Sequence, residues 1–276
     1  MAHSPAMPAP VALPGVSKIV AIGSGKGGVG KTTVAVNLAI ALSRLGQRVG
    51  LIDADIYGPN VPLMMGSAKQ PVVGEDNRIV PNETHGVKTI SIGYISPGDK
   101  PLVMRGPMLH QIVRQFLQQV NWGELDYLLV DMPPGTGDVA ISLVQTVPLT
   151  GAVVVSTPSD VSLEDARKAL EMFAQVNVDV LGIVENMSSF TCPHCHQEID
   201  IFSRGGAKRT AERFGIPFLG SVDLIPAIRE GGDHGTPVAL AGPKSPQAAP
   251  FFAIAEKLME EAEKAAAASS DVIEIK

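Results

Sequence analysis

An α/β fold, a mostly parallel twisted sheet with helices on both faces, is predicted by three observations. Short apolar runs alternate with helical patterns from Lys18 onward, the order in which crossover helices join parallel strands. The runs are built from Ala, Val, Ile and Leu, with apolar residues at 45% and aromatic ones at only 4%, as in strands buried on both faces. No Pro/Gly/Ser-rich linker and no internal repeat interrupts the alternation. Residues 16–268 therefore read as one domain, between a lead-in at 1–15 expected to lack structure and a tail at 269–276.

Ile19–Gly23 is the first predicted strand. A Gly-rich turn follows, then a helix from Lys31 to Leu45, closed by Gly46 where helices place a left-handed residue. Arg48–Asp53 is the second strand. Pro71–Val80 and Val87–Ile95 read as shorter strands around turns at Gly74-Glu75-Asp76-Asn77 and His85-Gly86. A helix over Met108–Val120 leads into the strand Tyr127–Asp131. Gly151–Ser156 and Val180–Glu185 are strands on either side of a helix at Leu163–Val176. Ala207–Phe214, Ile225–Glu230 and Pro250–Ala268 are expected to be helical, with Phe218–Val222 a late strand.

The 276 residues carry 22 Lys and Arg against 28 Asp and Glu, a net charge of −6. That balance disfavours nonspecific nucleic-acid binding, which needs several cations on one face. No apolar run nears the roughly 18 residues of a membrane span. Met1–Pro10 has neither the basic flank nor the apolar stretch of a signal peptide, so a cytoplasmic location is expected. Phe251–Lys264 holds four acids against two lysines, unlike a basic amphipathic membrane anchor. Neither nucleic acid nor membrane is expected as a partner. Only two cysteines occur, Cys192 and Cys195, which excludes a disulfide framework.

The turn after the first strand, Gly25-Lys-Gly-Gly-Val-Gly30-Lys31-Thr32, matches G-x-x-x-x-G-K-[ST] in the strand–turn–helix setting that motif requires. This is the signature of a P-loop NTPase. In such loops backbone N–H groups and the helix N-terminus hold phosphate oxygens, the lysine reaches the β- and γ-phosphates, and the hydroxyl ligates Mg²⁺. The nucleotide-binding candidates are therefore Ser24, Gly25, Lys26, Gly27, Gly28, Val29, Gly30, Lys31, Thr32 and Thr33. The same glycines match G-x-G-x-x-G twice, at Gly23-x-Gly25-x-x-Gly28 and Gly25-x-Gly27-x-x-Gly30, and Asp53 falls where a dinucleotide's ribose would be bound. Lys31-Thr32 decides for ATP and Mg²⁺, since a dinucleotide site needs neither. Asp131 ends an apolar strand, as expected of the acid that holds the Mg²⁺ hydration shell. Lys26 is a second lysine that ordinary phosphate loops do without. It is either a solvated loop cation or one that meets γ-phosphate charge, as an arginine finger does in trans.

Phe190-Thr-Cys192-Pro-His-Cys195-His196 admits four readings. Cys-x-x-Cys-His is the haem-attachment pattern, which needs an exported chain. A thioredoxin-like redox pair should open a helix. A structural zinc would take both thiolates with His194 or His196. Two thiolates are also half of the Cys₄ set of an iron–sulfur cluster, which a two-fold dimer completes with the same patch from each subunit.

Several of these segments resemble known ones. Lys26-Gly-Gly-Val-Gly-Lys-Thr-Thr33 is similar to the deviant phosphate loop of the MinD, ParA and nitrogenase iron protein class, whose members pair across that first lysine. Asp53-Ala-Asp55 resembles the first switch of the class, which implies that Asp55 orients the attacking water with Asp53 near the metal. Lys26, Lys31 and Asp55 are thus the catalytic candidates, and Thr32, Asp53 and Asp131 the Mg²⁺ candidates. Asp131-Met-Pro-Pro-Gly-Thr-Gly-Asp138 resembles the second switch, which senses the γ-phosphate; a helix N-cap is the plainer reading of Asp138. Asn186 matches the position that hydrogen-bonds adenine, with a strand-end turn residue as the plainer reading. Together with Asp53-Ala-Asp-Ile-Tyr-Gly-Pro-Asn60, Val61-Pro-Leu-Met-Met65-Gly and Asn186-Met-Ser-x-Phe-x-Cys-Pro-x-Cys195, these motifs resemble the Mrp/ApbC family of iron–sulfur cluster carrier ATPases, from about Val16 to Leu240.

That resemblance implies a homodimer with a bridging [4Fe–4S] cluster at Cys192 and Cys195 and slow ATP hydrolysis. It also implies apo iron–sulfur proteins and upstream cluster scaffold proteins as partners. A MinD- or ParA-like partitioning switch is the alternative, but it leaves the cysteines unexplained. A reductase like the nitrogenase iron protein would place a cluster cysteine beside the second switch, and Asp131–Asp138 contains none.

Overall fold

The aliphatic runs become strands, and their ends define where the chemistry sits. The structure is a computed structural model and describes residues 10–67, 69–95, 106–135 and 138–273. The chain begins with β1 (Val16–Gly23), α1 (Lys31–Arg44), β2 (Val49–Asp53) and α2 (Val61–Met64). Short pieces follow: β3 (Val72–Val73), β4 (Ile79–Val80), β5 (Asn82–Thr84), β6 (Val87–Ser91) and α3 (Ile92–Ile95). Then come α4 (Gly106–Gln118), β7 (Leu125–Asp131), α5 (Asp138–Thr146), β8 (Gly151–Ser156), α6 (Asp160–Gln175) and β9 (Val180–Asn186). The last third holds β10 (Phe190–Thr191), β11 (Glu198–Ile199), α7 (Gly206–Phe214), β12 (Phe218–Val222), α8 (Pro226–Asp233) and α9 (Ala249–Ile273).

Eight strands form one sheet in the order β12-β9-β8-β1-β7-β2-β6-β5. Every pairing in it is parallel except β5 with β6. Alternate side chains serve two cores, as the pleat requires. Ile19, Ile52, Leu128, Val154 and Ile183 pack under α4, α5, α6 and α7. Val20, Leu51, Leu129, Val153 and Val184 pack under α1, α2, α8 and α9. The mostly parallel, helix-covered sheet expected from the sequence is what forms.

Boundaries differ in informative places. The run expected as a strand through Ile95 stops at Ser91, because Ser91 Oγ accepts the Gly93 N–H at 3.0 Å and donates to Asp53 at 2.9 Å. Ile92–Ile95 is helical instead. Residues 71–80 form a separate antiparallel hairpin, β3 with β4. The cysteine segment is a second hairpin, β10 with β11. Residues 11–15, placed in the unstructured lead-in by sequence, contact the domain: the Val11 N–H donates to the Thr146 carbonyl at 3.1 Å and Leu13 enters the core. At the other end α9 runs on to Ile273, past the expected limit at 268. Its apolar face, including Phe251, Ile254 and Leu258, is buried in the core it shares with α1. Among the described residues no helix is long and apolar enough to cross a membrane.

β1, β2, β7, β8 and β9 all run parallel, so their carboxyl ends gather at one edge. Asp53 pairs in register with Asp131, and Ile22 with Asp131 on the other side. Open parallel sheets bind ligands beyond this edge, where the connections diverge.

The sheet centre is close-packed, so truncation there should be costly. Leu129 lies between Val20 and Leu51 with no exposed surface. Leu129→Ala should lower the unfolding free energy by about 2–5 kcal/mol in urea titrations, the usual cost of a buried Leu→Ala cavity.

Candidate functional site

The phosphate loop is the connection from β1 to α1. Gly28 and Gly30 both adopt φ of 80°, a left-handed conformation that L side chains rarely take. Gly30 caps α1 through its backbone alone: no side chain caps this helix and its first turn holds no acid. The leading N–H groups of α1 are thus left for an anion, with the helix dipole behind them. The loop opens onto a cavity of about 290 Å³. Its lining includes Ser24, Lys26, Gly27, Gly28, Val29, Gly30, Lys31, Thr32, Thr33 and Asp55. Lys26 has no ion pair among the described residues.

Lys31 and Thr32 converge on Asp131. Lys31 Nζ lies 2.5 Å from Asp131 Oδ1, and the Thr32 hydroxyl donates to Oδ2 at 2.7 Å. Asp131 has no exposed surface, and burial pushes its pKa up against the opposing pull of Lys31 and its bond from Thr32. Asp53, one strand over, is equally buried. Desolvation first, and then the neighbouring Asp131 charge, push its pKa up to about 8. Its oxygens are held inside the protein, Oδ2 by the Ser91 hydroxyl at 2.9 Å and the Val61 N–H at 3.2 Å, Oδ1 by the Asp55 N–H at 3.2 Å. Asp55 is half-buried on the cavity wall, and its pKa is raised chiefly by burial. The Asp131 carboxylate and the Thr32 hydroxyl are oxygen donors of the kind Mg²⁺ takes, whereas both Asp53 oxygens are already held by protein donors.

Not every sequence-predicted residue lines the cavity. Gly25 does not line the cavity. A Cβ there would lie 2.0 Å from the Asp165 carbonyl oxygen, so this glycine lets α6 approach the loop. Asn186 is buried, and its Nδ2 donates to the Val29 carbonyl at 2.8 Å, bracing the loop from the side of β9. Asp53 likewise braces the segment from Asp55 to Val61 from beneath and does not line the cavity. Asp138 is the first residue of α5; its side chain lies outside the described residues, as does the adjoining stretch 136–137.

The cysteines occupy the tip of the β10–β11 hairpin. The Cys192 N–H donates to the Gln197 carbonyl at 2.9 Å, and the His196 N–H returns to the Cys192 carbonyl at 2.9 Å. His196 takes φ of 58°, which lets the turn close. The backbone N–H of Cys195, then that of His194, and the Cys195 thiol point at the Cys192 sulfur and hold its pKa below the ordinary thiol value. Cys195 is exposed and Cys192 half-exposed. The pair opens no helix, against the thioredoxin-like reading. Among the described residues no third His, Cys, Asp or Glu joins them as a metal-holding group. Ile199, Ile201 and Phe202, which follow the turn in sequence, are exposed apolar side chains.

Sequence comparison accords with this pairing of a phosphate loop and a thiol hairpin. The family model described as ParA, NUBPL iron-transfer P-loop NTPase, matches residues 15–259. The chain belongs to this family. An iron-sulfur cluster carrier protein of Deinococcus radiodurans is 52% identical over 248 residues, covering 90% of this chain and 70% of the relative. A nucleotide-binding protein of Archaeoglobus fulgidus, solved with ADP and with Co, superposes with a TM-score of 0.74 at 36% identity, covering 86% of this chain and 92% of that one. The cell division ATPase MinD of Pyrococcus furiosus superposes with a TM-score of 0.67 at 25% identity, over 88% and 99%. The NUBPL-family chain thus shares its frame with a cell division ATPase while its sequence lies nearer to the carrier relatives.

The cavity has further walls, and one more buried acid stands beside it. Asn60, Leu63, Met64, Pro134, Gly232 and Asp233 wall the cavity, and Gly232 and Asp233 carry no motif that marks them. Glu185, buried at the end of β9, accepts hydrogen bonds from the Ser188 hydroxyl and the Gly205 and Ala207 amides. Its signal was present: an acid closing an apolar strand, the pattern that marks Asp53 and Asp131.

Asp53 makes a testable contribution to pH dependence. Its folded pKa of about 8 lies above the unfolded value, so the native state binds the extra proton and its stability falls as pH rises toward 8. Asp53→Asn removes that slope. Thermal melts in chelator without nucleotide should show the variant gaining on the wild type from pH 5 to 8 and levelling above; parallel curves would refute the assignment.

Proposed function

We propose that the protein is an ATP-dependent iron–sulfur cluster carrier that binds a labile [4Fe–4S] cluster between two copies of itself and passes it to apo-proteins. The observation that carries this reading is the exposed two-thiol hairpin, with amides aimed at the Cys192 sulfur, on a phosphate-loop frame. Two thiolates are half of a four-cysteine set, and the chain has no other cysteine. A two-fold axis at the hairpin would bring the same pair from a second copy. The apolar residues Ile199, Ile201 and Phe202 offer such a copy a contact surface. A cluster held at a hairpin tip remains open to the thiols of a recipient, which suits receipt from a scaffold and delivery to an apo iron–sulfur protein.

In this reading the loop amides and the N-terminus of α1 bind the phosphates of ATP. Lys31 moves its charge from Asp131 toward the β- and γ-phosphates, and Thr32, Asp131 and Asp53 attend Mg²⁺, which supplies charge neutralisation at the phosphates. Asp55, on the cavity wall, orients the attacking water, and Asp138 opens the segment that senses the γ-phosphate. Lys26, unpaired in the described structure, reaches the partner copy's nucleotide. Asn186 keeps one amide hydrogen and its carbonyl oxygen for adenine beside its bond to Val29. Slow hydrolysis is coupled to loading or delivery of the cluster.

Anaerobic reconstitution with iron and sulfide should give about four irons and four sulfides per dimer with the broad visible absorbance of a cluster. Cys192→Ser should lose that absorbance; one zinc per pair of chains without sulfide would overturn the reading. Lys31→Ala should weaken binding of a fluorescent ATP analogue about tenfold or more, the worth of one charge-assisted bond. It should also abolish ATP-dependent transfer to an apo-protein while leaving cluster binding intact. Undiminished transfer would separate ATP from the carrier role.

A further inference from the structure

The cysteine hairpin is not independent of the phosphate loop. β9 ends in Glu185-Asn186, and neighbours on a strand face opposite sides of the sheet. Ile183 packs on the side of α6 and α7 and Val184 on the side of α1; Glu185 follows the first and Asn186 the second. The Asn186 amide holds the Val29 carbonyl at 2.8 Å, and a Cβ on Gly30 would lie 2.1 Å from the same amide nitrogen. On the opposite face the Glu185 carboxylate, only 1% exposed, accepts from the Ser188 hydroxyl at 2.7 Å, the Gly205 N–H at 3.0 Å and the Ala207 N–H at 2.8 Å.

Ser188 and Gly205 are the two roots of the excursion that bears Cys192 and Cys195. Met187, between Asn186 and Ser188, takes φ of 58°, which turns Ser188 back onto Glu185. A second route runs through α6. A Cβ on Gly25 would lie 2.0 Å from the Asp165 carbonyl oxygen, and one on Gly206 would lie 2.4 Å from Leu163 Cδ1. Both ends of the phosphate loop therefore abut elements that also grip the base of the hairpin.

We propose that Glu185 is a positioning residue that couples nucleotide occupancy of the phosphate loop to the setting of the Cys192–Cys195 turn in the same subunit. The proposal rests on the ATP-dependent carrier reading and names how that site is regulated. A ligand biases a distant element only when it interacts differently with two arrangements of what lies between. Closing the loop on a phosphate moves the Val29 carbonyl or releases it, and Asn186 ties that movement to the end of β9. Glu185 is the preceding residue, and it tethers both hairpin roots through charge-assisted bonds in a buried setting, where such bonds are strong. An acceptor-only carboxylate suits three donors. A glutamine there presents its own NH₂ to one of them and breaks the set.

The test uses the full chain, cluster-free and reduced. Alkylation of the two cysteines by iodoacetamide is timed with and without Mg²⁺ and adenylyl imidodiphosphate, while a fluorescent ATP analogue reports nucleotide binding separately. Wild-type alkylation should change about fivefold or more on nucleotide addition, the lower bound of usual site-to-site coupling. Glu185→Gln should bind nucleotide with wild-type affinity and lose that change. Should it melt early, Ser188→Ala keeps the carboxylate and two of its three bonds, and its change should shrink. Wild-type rates that do not respond at saturating nucleotide overturn the proposal, as does a full response in a folded Glu185→Gln. Protection arising only from pairing of two copies would persist in that variant and counts against the coupling. Failure of the wild type to bind the analogue removes the ATP-dependent reading itself, and the coupling with it.

Discussion

The site is organised around a carboxylate with no access to water. Asp131 ends the central strand β7, and burial alone would keep it neutral. Lys31 at 2.5 Å and the Thr32 hydroxyl at 2.7 Å supply the charge and hydrogen bonds that make an anion tolerable there. Removing one partner of such a pair typically costs about 3–5 kcal/mol, because the other charge is stranded. The contact fixes the first turn of α1 against β7 and so sets the loop that precedes it. It also sets a condition on any ligand of the loop: a phosphate group would meet a lysine already neutralised by an internal acid. Asp53, in register beside Asp131, is raised to about 8 in part because this acid is its neighbour.

The parallel sheet brings the remaining groups together. Its carboxyl edge collects Asp53, Asp131 and the end of β9 from segments far apart in sequence. The phosphate loop is wedged between α6, through Gly25, and Asn186, through Val29 and Gly30. The same two neighbours support the thiol hairpin. The phosphate loop and the thiol hairpin are therefore supported from one edge of the sheet. The charged partner of Lys31 lies inside the protein, whereas the thiols lie at its surface.

Legibility in the sequence varied with the range of the forces involved. The long aliphatic strands and the amphipathic α6 and α7 were readable because periodicity and burial act within one element. The end of β6 was not, because Ser91 stops the ladder by bonding Gly93 and an aspartate on another strand. The motif residues Lys31, Thr32, Asp55 and Asp131 were found as a group, and the fold brings them around or beneath one cavity. Gly25 and Asn186 were found for their motif positions, but their contacts brace the loop instead of lining the cavity. Glu185 carried the right local signal, an acid at the end of an apolar strand, but its role depends on amides twenty residues further along the chain.

The sequence by itself determined the fold class, the phosphate loop and the pairing of that loop with two cysteines, because each rests on local pattern: alternation, glycine spacing and a Cys-x-x-Cys turn. Tertiary structure alone decided which acids are buried, which glycines make room for a neighbour and what holds the cysteine hairpin in place. Desolvation and close approach depend on which segments the sheet makes adjacent, and adjacency between residues 29, 131 and 186 is set by strand order, which no local pattern contains.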